Sequence, residues 1–171
     1  MIVLKLYYHL ICLVKTLFYR LIYGKSFTIS FSSTYRTGFH VVIEHSGGVK
    51  IGRHCFFNHY CTLASRAGIT IGDGSIFGEN VKVYDHNHRY QDTCKSIKEQ
   101  GYTAAPITIG KHCWIGSGAV ILKGVNIGDN CVIGAGCVVY KDVPANTLLI
   151  NKQEWIKKSY QDENPGTDCR A

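Results

Sequence analysis

The sequence predicts an all-β chain wound as a parallel β-helix of hexapeptide repeats, with one amphipathic α-helix in front and one long interrupting loop. Three observations predict it. From Ile109 every sixth residue is aliphatic: Ile109, Ile115, Ile121, Ile127, Ile133 and Val139. Glycine follows the aliphatic residue at 110, 116, 128 and 134, and the fifth place of each hexad is small or slim (Cys113, Ala119, Val125, Cys131, Cys137, Val143). The same hexad pattern occurs earlier at Ile71, Phe77 and Val83, and again at Ile51, Phe57 and Leu63 with Cys55 and Cys61 in the small place. The two early stretches are joined by a slip at residues 67–70. One inward aliphatic residue per hexad suits short strands joined by tight turns, and glycine beside it permits close backbone approach. Three hexads make one triangular coil, and stacked coils pair as parallel strands about 4.8 Å apart. From Ile51 onward there is room for about four coils, and Phe27 to Val49 adds a looser one. The period does not give the handedness.

Taken in order, residues 1–26 form the amphipathic helix. At 100° per residue, Lys5, His9, Thr16, Arg20 and Tyr23 fall on one stripe, and Ile2, Leu6, Leu10, Leu13, Leu17 and Leu21 fall opposite. Charges interrupt the segment before any run reaches the roughly 18–20 residues needed to span a bilayer. The spread of charge and the lack of a small-residue cleavage site fit a signal peptide poorly. Two readings follow. Either the apolar face caps the main fold or packs on sister subunits, or it lies in a membrane interface with basic residues toward the head groups. Residues 27–150 form the β-helix, broken by a loop at 84–106, and 151–171 form a basic C-terminal segment and tail. There Lys152, Lys157 and Lys158 supply a basic patch or a solvated face, and disorder is expected after Tyr160.

A chain of 171 residues with 46% hydrophobic and 18% charged residues supports one domain with a real core and excludes a disordered chain. The formal charge of +7 suggests an anionic partner: a phosphate-bearing cofactor, a membrane surface or nucleic acid. Nucleic acid is the weakest of these, because no recognition motif accompanies the charge. Five of the eight cysteines occupy the small hexad place and read as packing, and none of the eight forms a CxxC pair. Cys12, Cys94 and Cys169 are left over, and a reducing, cytoplasmic compartment follows.

The period breaks between Val83 and Ile107, where a long insertion in a tightly wound solenoid signals function. The insertion opens with Asp85, His86, Asn87, His88 and Arg89. An imidazole titrates near neutrality and can take a proton from an alcohol as its oxygen attacks a carbonyl, so His88 and His86 are candidate general bases. Asp85 or a backbone carbonyl would orient the imidazole.

Over Gly48 to Pro144 the hexads resemble the left-handed β-helix hexapeptide-repeat superfamily, and in particular its O-acetyltransferase branch. The nearest likeness is to sugar acetyltransferases of bacterial polysaccharide assembly. The resemblance implies acetyl coenzyme A as co-substrate, no metal, a homotrimer with sites between neighbouring prisms, and a sugar, nucleotide-sugar or lipid-linked glycan as acceptor. Matching Asn87-His88-Arg89 to the family's catalytic loop puts the base on His88, with His86 competing. Trp114 matches a tryptophan beside the active site, and Ser117 a backbone amide facing the thioester carbonyl. Ala135 matches a pantetheine contact, Tyr140 and Lys141 match positions near the nucleotide end of coenzyme A, and Asn58 matches an acceptor-side asparagine. The chain departs from the family after Val143-Pro144, where residues 148–155 replace an AGNPAK-type stretch and leave the coenzyme A contacts there open.

The expected activity is therefore O-acetyl transfer by a cytoplasmic enzyme, peripheral at the inner face of the membrane if the helix docks there. Two rivals remain. One is a zinc enzyme resembling γ-class carbonic anhydrases, drawing on His59, His86, His88 and His112. The other is a non-catalytic trimeric scaffold or membrane-docked module.

Overall fold

The computed structural model describes residues 2–152, with side chains from Tyr7 onward. The expectations for Ile2, Lys5 and Leu6 side chains, and for Lys157, Lys158, Cys169 and the tail, lie outside the described residues. Three parallel sheets form the faces of a triangular prism. The first contains Phe27–Ile29, Val49–Ile51, Ile69–Ile71, Ile107–Ile109 and Asn126–Ile127. The second contains Thr34–Tyr35, Phe56–Phe57, Ile76–Phe77, Trp114–Ile115, Val132–Ile133 and Leu148–Leu149. The third contains His40–Ile43, Thr62–Ser65, Lys82–Tyr84, Val120–Leu122 and Val138–Val139.

Every hexad aliphatic residue named from the sequence points inward and is buried. At the N-terminal end the column is aromatic. Phe39 packs between Tyr35 and Phe57 at centroid distances of 4.5 and 4.9 Å, and Phe57 stacks on Phe77 at 4.4 Å.

Coil length varies, and the variation is confined to one corner. Phe27 lies beside Val49, Val49 beside Ile69, Ile69 beside Ile107 and Thr108 beside Asn126, steps of 22, 20, 38 and 18 residues. The turns from the first sheet to the second, and from the second to the third, keep constant length throughout. Only the turn from the third sheet back to the first grows or shrinks. That corner holds the slip near Gly68 and the insertion after Tyr84, so the fold concentrates its irregularity along one edge of the prism.

The glycines after the aliphatic residues serve close approach. A Cβ on Gly116 would lie 2.6 Å from the Ala135 nitrogen of the next coil. The left-handed backbone falls two residues later in the turn, at Gly118 (φ +70°), and His54, His112 and Asn130 take the corresponding place at another corner.

The small hexad place also carries a polar ladder. At the corner between the first and second sheets, Ser33 Oγ donates to the Gly52 carbonyl at 2.7 Å and Ser75 Oγ to Gly110 at 2.8 Å. Between and beyond them, the thiols of Cys55, Cys113 and Cys131 donate to Gly72, Gly128 and Pro144 at 3.1, 3.2 and 3.0 Å. These cysteines are thus inter-coil donors as well as fillers. Burial pushes the thiols of Cys55 and Cys113 up, and that of Cys61 to about 11, which suppresses the reactive thiolate. Iodoacetamide is expected to label exposed Cys94 in the native protein and to reach Cys55, Cys61, Cys113, Cys131 and Cys137 only after denaturation. Mass spectrometry of peptides checks this, and rapid native labelling of Cys113 would contradict it.

The helix α1 (Ile2–Tyr23) lies across the N-terminal end of the prism in the reverse of one expected orientation. The apolar face does not cap the core. The first coil ends in a row of backbone groups with no neighbouring strand, and such an edge needs hydrogen-bond partners. Cys12 Sγ donates to the Tyr35 carbonyl at 2.9 Å, Arg20 to Ile29 at 2.9 Å and Tyr23 Oη to Val41 at 3.2 Å. Lys15 Nζ reaches the Phe39 carbonyl, and Tyr19 Oη accepts from the Val41 N–H at 3.1 Å. Thr16 is buried against the Tyr35 hydroxyl. The donor-rich side of α1 therefore faces the prism, and Leu10, Leu13, Leu17 and Leu21 face outward. Among the described residues, no helix is long and apolar enough to cross a membrane.

Candidate active site at the interrupted corner

The insertion after Tyr84 begins and ends as an antiparallel ribbon in which His86, Asn87 and His88 pair with Ala104, Thr103 and Tyr102. Strand alternation puts both imidazoles on one face of the ribbon. The Tyr102 ring lies against them, 4.3 Å from the His88 ring centroid and 5.4 Å from that of His86. The Arg66 guanidinium sits over Tyr102 at 3.5 Å and pairs with Glu44.

Asp85 anchors the ribbon. It is fully buried, and its carboxylate accepts from the backbone N–H groups of Arg66, Ala67 and Gly68 at 2.7 to 3.0 Å. It also accepts from Ser65 Oγ at 2.8 Å and lies 3.0 Å from His86 Nδ1. Burial alone would push this carboxyl up. The amides of Gly68 and Arg66, the His86 ring and the Ala67 amide outweigh it, and the net effect is a pKa below the ordinary value. With Nδ1–H donated to Asp85, His86 would keep Nε2 as an acceptor. The carboxylate thus meets His86 and not His88, the imidazole that Asp85 or a backbone carbonyl is expected to orient.

His88 is exposed and lines a cleft of about 280 Å³ with Asn87, Arg89, Tyr90, Thr103 and Lys123. Tyr102, Arg66 and Lys123 were not legible as site residues. Tyr102 is paired with His88 only by the ribbon register, and Arg66 and Lys123 come from the same corner of other coils.

The remaining candidates fall elsewhere on the chain. Asn58, Ser117 and Ala135 lie at the corner between the second and third sheets. Asn58 is half-buried with its Oδ1 accepting the His59 N–H at 2.9 Å, and Ser117 and Ala135 are exposed. Ser117 Oγ accepts from Glu79 N at 3.1 Å. Trp114 projects from the outside of the second sheet, 53% exposed. Tyr140 and Lys141 share the corner of the histidines, two coils further on, with Lys141 Nζ 5.8 Å from the Tyr140 ring. The chain therefore brings Asp85, His86 and His88 together but separates them from Ser117 by the width of the third sheet. His59, His86 and His112 stand at three different corners. Among the described residues, no three His, Cys, Asp or Glu side chains converge as metal ligands.

Residues 48–84 and 106–141 match the family described as the hexapeptide repeat of succinyl-transferase, and the unmatched gap is the histidine ribbon. The chain belongs to the hexapeptide-repeat acetyltransferase family. It is 41% identical over 114 residues to nodulation protein L of Rhizobium meliloti strain 1021, covering 67% of this chain and 61% of that one. It is 38% identical over 108 residues to galactoside O-acetyltransferase of Escherichia coli K12, covering 63% of this chain and 52% of the relative. The crystal structure of a hexapeptide-repeat acetyltransferase from Vibrio cholerae O1 biovar eltor, complexed with acetyl coenzyme A, matches with a TM-score of 0.58 at 30% identity. That match covers 68% of this chain and 64% of the other. The chain spans between half and two thirds of the length of these relatives. Its prism is the left-handed β-helix expected of a hexapeptide-repeat acetyltransferase.

Proposed function

We propose that this family member transfers acetyl from acetyl coenzyme A to a hydroxyl of a sugar or glycan, with the His88 imidazole as general base. The observation that carries the reading is the anchored ribbon, which holds two imidazoles at the edge of the prism beside a polar cleft. In the proposed reaction the acceptor hydroxyl gives its proton to the imidazole while its oxygen bonds to the acetyl carbonyl carbon. The C–S bond then breaks, and the departing thiolate takes the proton from the imidazolium. The Ser117 amide of a neighbouring protomer stabilises the oxyanion between these events, and no acetyl-enzyme forms. Ala135, Tyr140, Lys141 and Trp114 contact coenzyme A, and Asn58 contacts the acceptor.

A homotrimer is part of this reading, because His88 and Ser117 are a sheet's width apart in one chain. The outer faces support it. The first sheet displays Thr28, Lys50, Thr70, Thr108 and Asn126, all exposed and polar. The second displays Phe56, Ile76, Trp114, Val132 and Leu148, an apolar column suited to covering by another chain. Arg89 and Lys123 in the cleft favour an acceptor carrying phosphate, a nucleotide-sugar or lipid-linked glycan, over a neutral free sugar.

A second reading exchanges the histidines. The Asp85–His86 contact is the arrangement that orients a catalytic imidazole, and it favours His86 as base. Incubation with acetyl coenzyme A and a panel of sugars, nucleotide-sugars and lipid-linked glycans tests the function. A gain of one acetyl group on an acceptor, with release of coenzyme A, is expected. Failure of every acceptor class at a protein concentration that binds coenzyme A would turn the reading toward a non-catalytic module.

A further inference from the structure

We infer that the outward face of α1 docks the protein onto an anionic lipid surface, with the helix lying in the plane of the membrane interface. The donor-rich side of the helix is consumed by the open edge of the prism, so among the described residues its apolar side has no partner. Leu10, Leu13, Val14, Leu17, Phe18 and Leu21 are all exposed along that side, Leu21 to 85%. A continuous apolar strip on the end of a folded protein marks an interaction surface.

Charge decides the occupant. Residues 1–43 contain five of the 19 Lys and Arg residues and none of the 12 Asp and Glu, the first of which is Glu44. The rest of the chain is nearly balanced, with 14 basic against 12 acidic residues. The positive charge is thus concentrated at the end of the molecule that exposes the apolar strip. An exposed apolar helix face at the basic, acid-free end of the molecule is the chemistry that binds the interface of an anionic bilayer. Phe31, exposed with the Arg20 guanidinium 4.8 Å over its ring, adds an aromatic group at the same end. Because the helix lies across the end of the prism, Leu10, Leu17 and Leu21 point away from the coils. Protomers packed side by side would present their helices toward one flat surface.

Flotation of the full chain with phosphatidylglycerol–phosphatidylcholine vesicles tests this. The protein is expected to float with these vesicles, to bind pure phosphatidylcholine vesicles weakly, and to be released as salt rises. Replacing Leu13, Leu17 and Leu21 together with Gln leaves every helix-to-prism hydrogen bond in place and should lower the bound fraction by more than ~10-fold. Circular dichroism and sedimentation without lipid should match the parent protein. Wild-type protein that stays in the aqueous fraction at low salt overturns the inference. So does a triple variant whose assembly mass falls in the absence of lipid, because a second copy of the chain would then be the occupant.

Discussion

Replacing His88 with alanine is expected to lower acetyl transfer by about 10²–10⁴-fold, the range contributed by a positioned general base. Protein assembly and coenzyme A binding should survive, because His88 is exposed and its ring contact is with Tyr102. The informative comparison is His86→Ala. If His88 is the base, that variant loses a partner of the buried Asp85 carboxylate, so its first effect is on stability and its rate falls less. If His86 is the base, the order of the two rates reverses while the stability effect stays with His86. Rates for both variants with one identified acceptor, together with melting temperatures, separate the cases. Two variants that both turn over near the wild-type rate would sink general-base catalysis from this ribbon.

The prism was legible because an inward position every six residues leaves an aliphatic residue no alternative but the core. Ile51, Phe57 and Leu63 are as buried as Ile109, Ile115 and Ile121, although the slip separates their phases. The slip itself falls at the corner that also takes the insertion, away from the two turns of constant length. The helix was legible only as two unlike faces. Amphipathicity alone favours burying leucines, but the prism end presents unpaired backbone groups, and hydrogen-bond donors from Cys12, Lys15, Arg20 and Tyr23 match that edge better. At the site, the Asp85-His86-Asn87-His88 run marked the right place. The partner of Asp85 depended on which imidazole turns toward the 65–68 corner, which three-dimensional register determines and residue order does not. Tyr102 and Arg66 were invisible for the same reason.

Asp85→Asn is the substitution with the largest expected effect on the fold of the site. The carboxylate accepts from three backbone amides, one hydroxyl and one imidazole in a fully buried position. An amide of the same shape would turn an N–H₂ toward some of those donors and leave N–H groups of the 66–68 corner unsatisfied. Each buried group so stranded costs about 1–3 kcal/mol, so a loss on the order of 3 kcal/mol is expected at neutral pH. For a chain of this size that corresponds to a melting temperature lower by roughly 6–12 °C. The pH dependence gives the sign. Because the folded-state pKa lies below the ordinary value, the stabilisation is complete above about pH 3.9, the unfolded-state value. It is lost as pH falls through the folded-state value. The gap between wild type and Asp85→Asn should therefore be constant near neutrality and narrow on acidification. Acetyl transfer should fall as well, because the same carboxylate fixes the start of the ribbon that carries His86 and His88. Melting curves of the two proteins across acidic pH, paired with rates at neutral pH, check both halves. Superimposable curves at every pH would mean that Asp85 does not hold this corner.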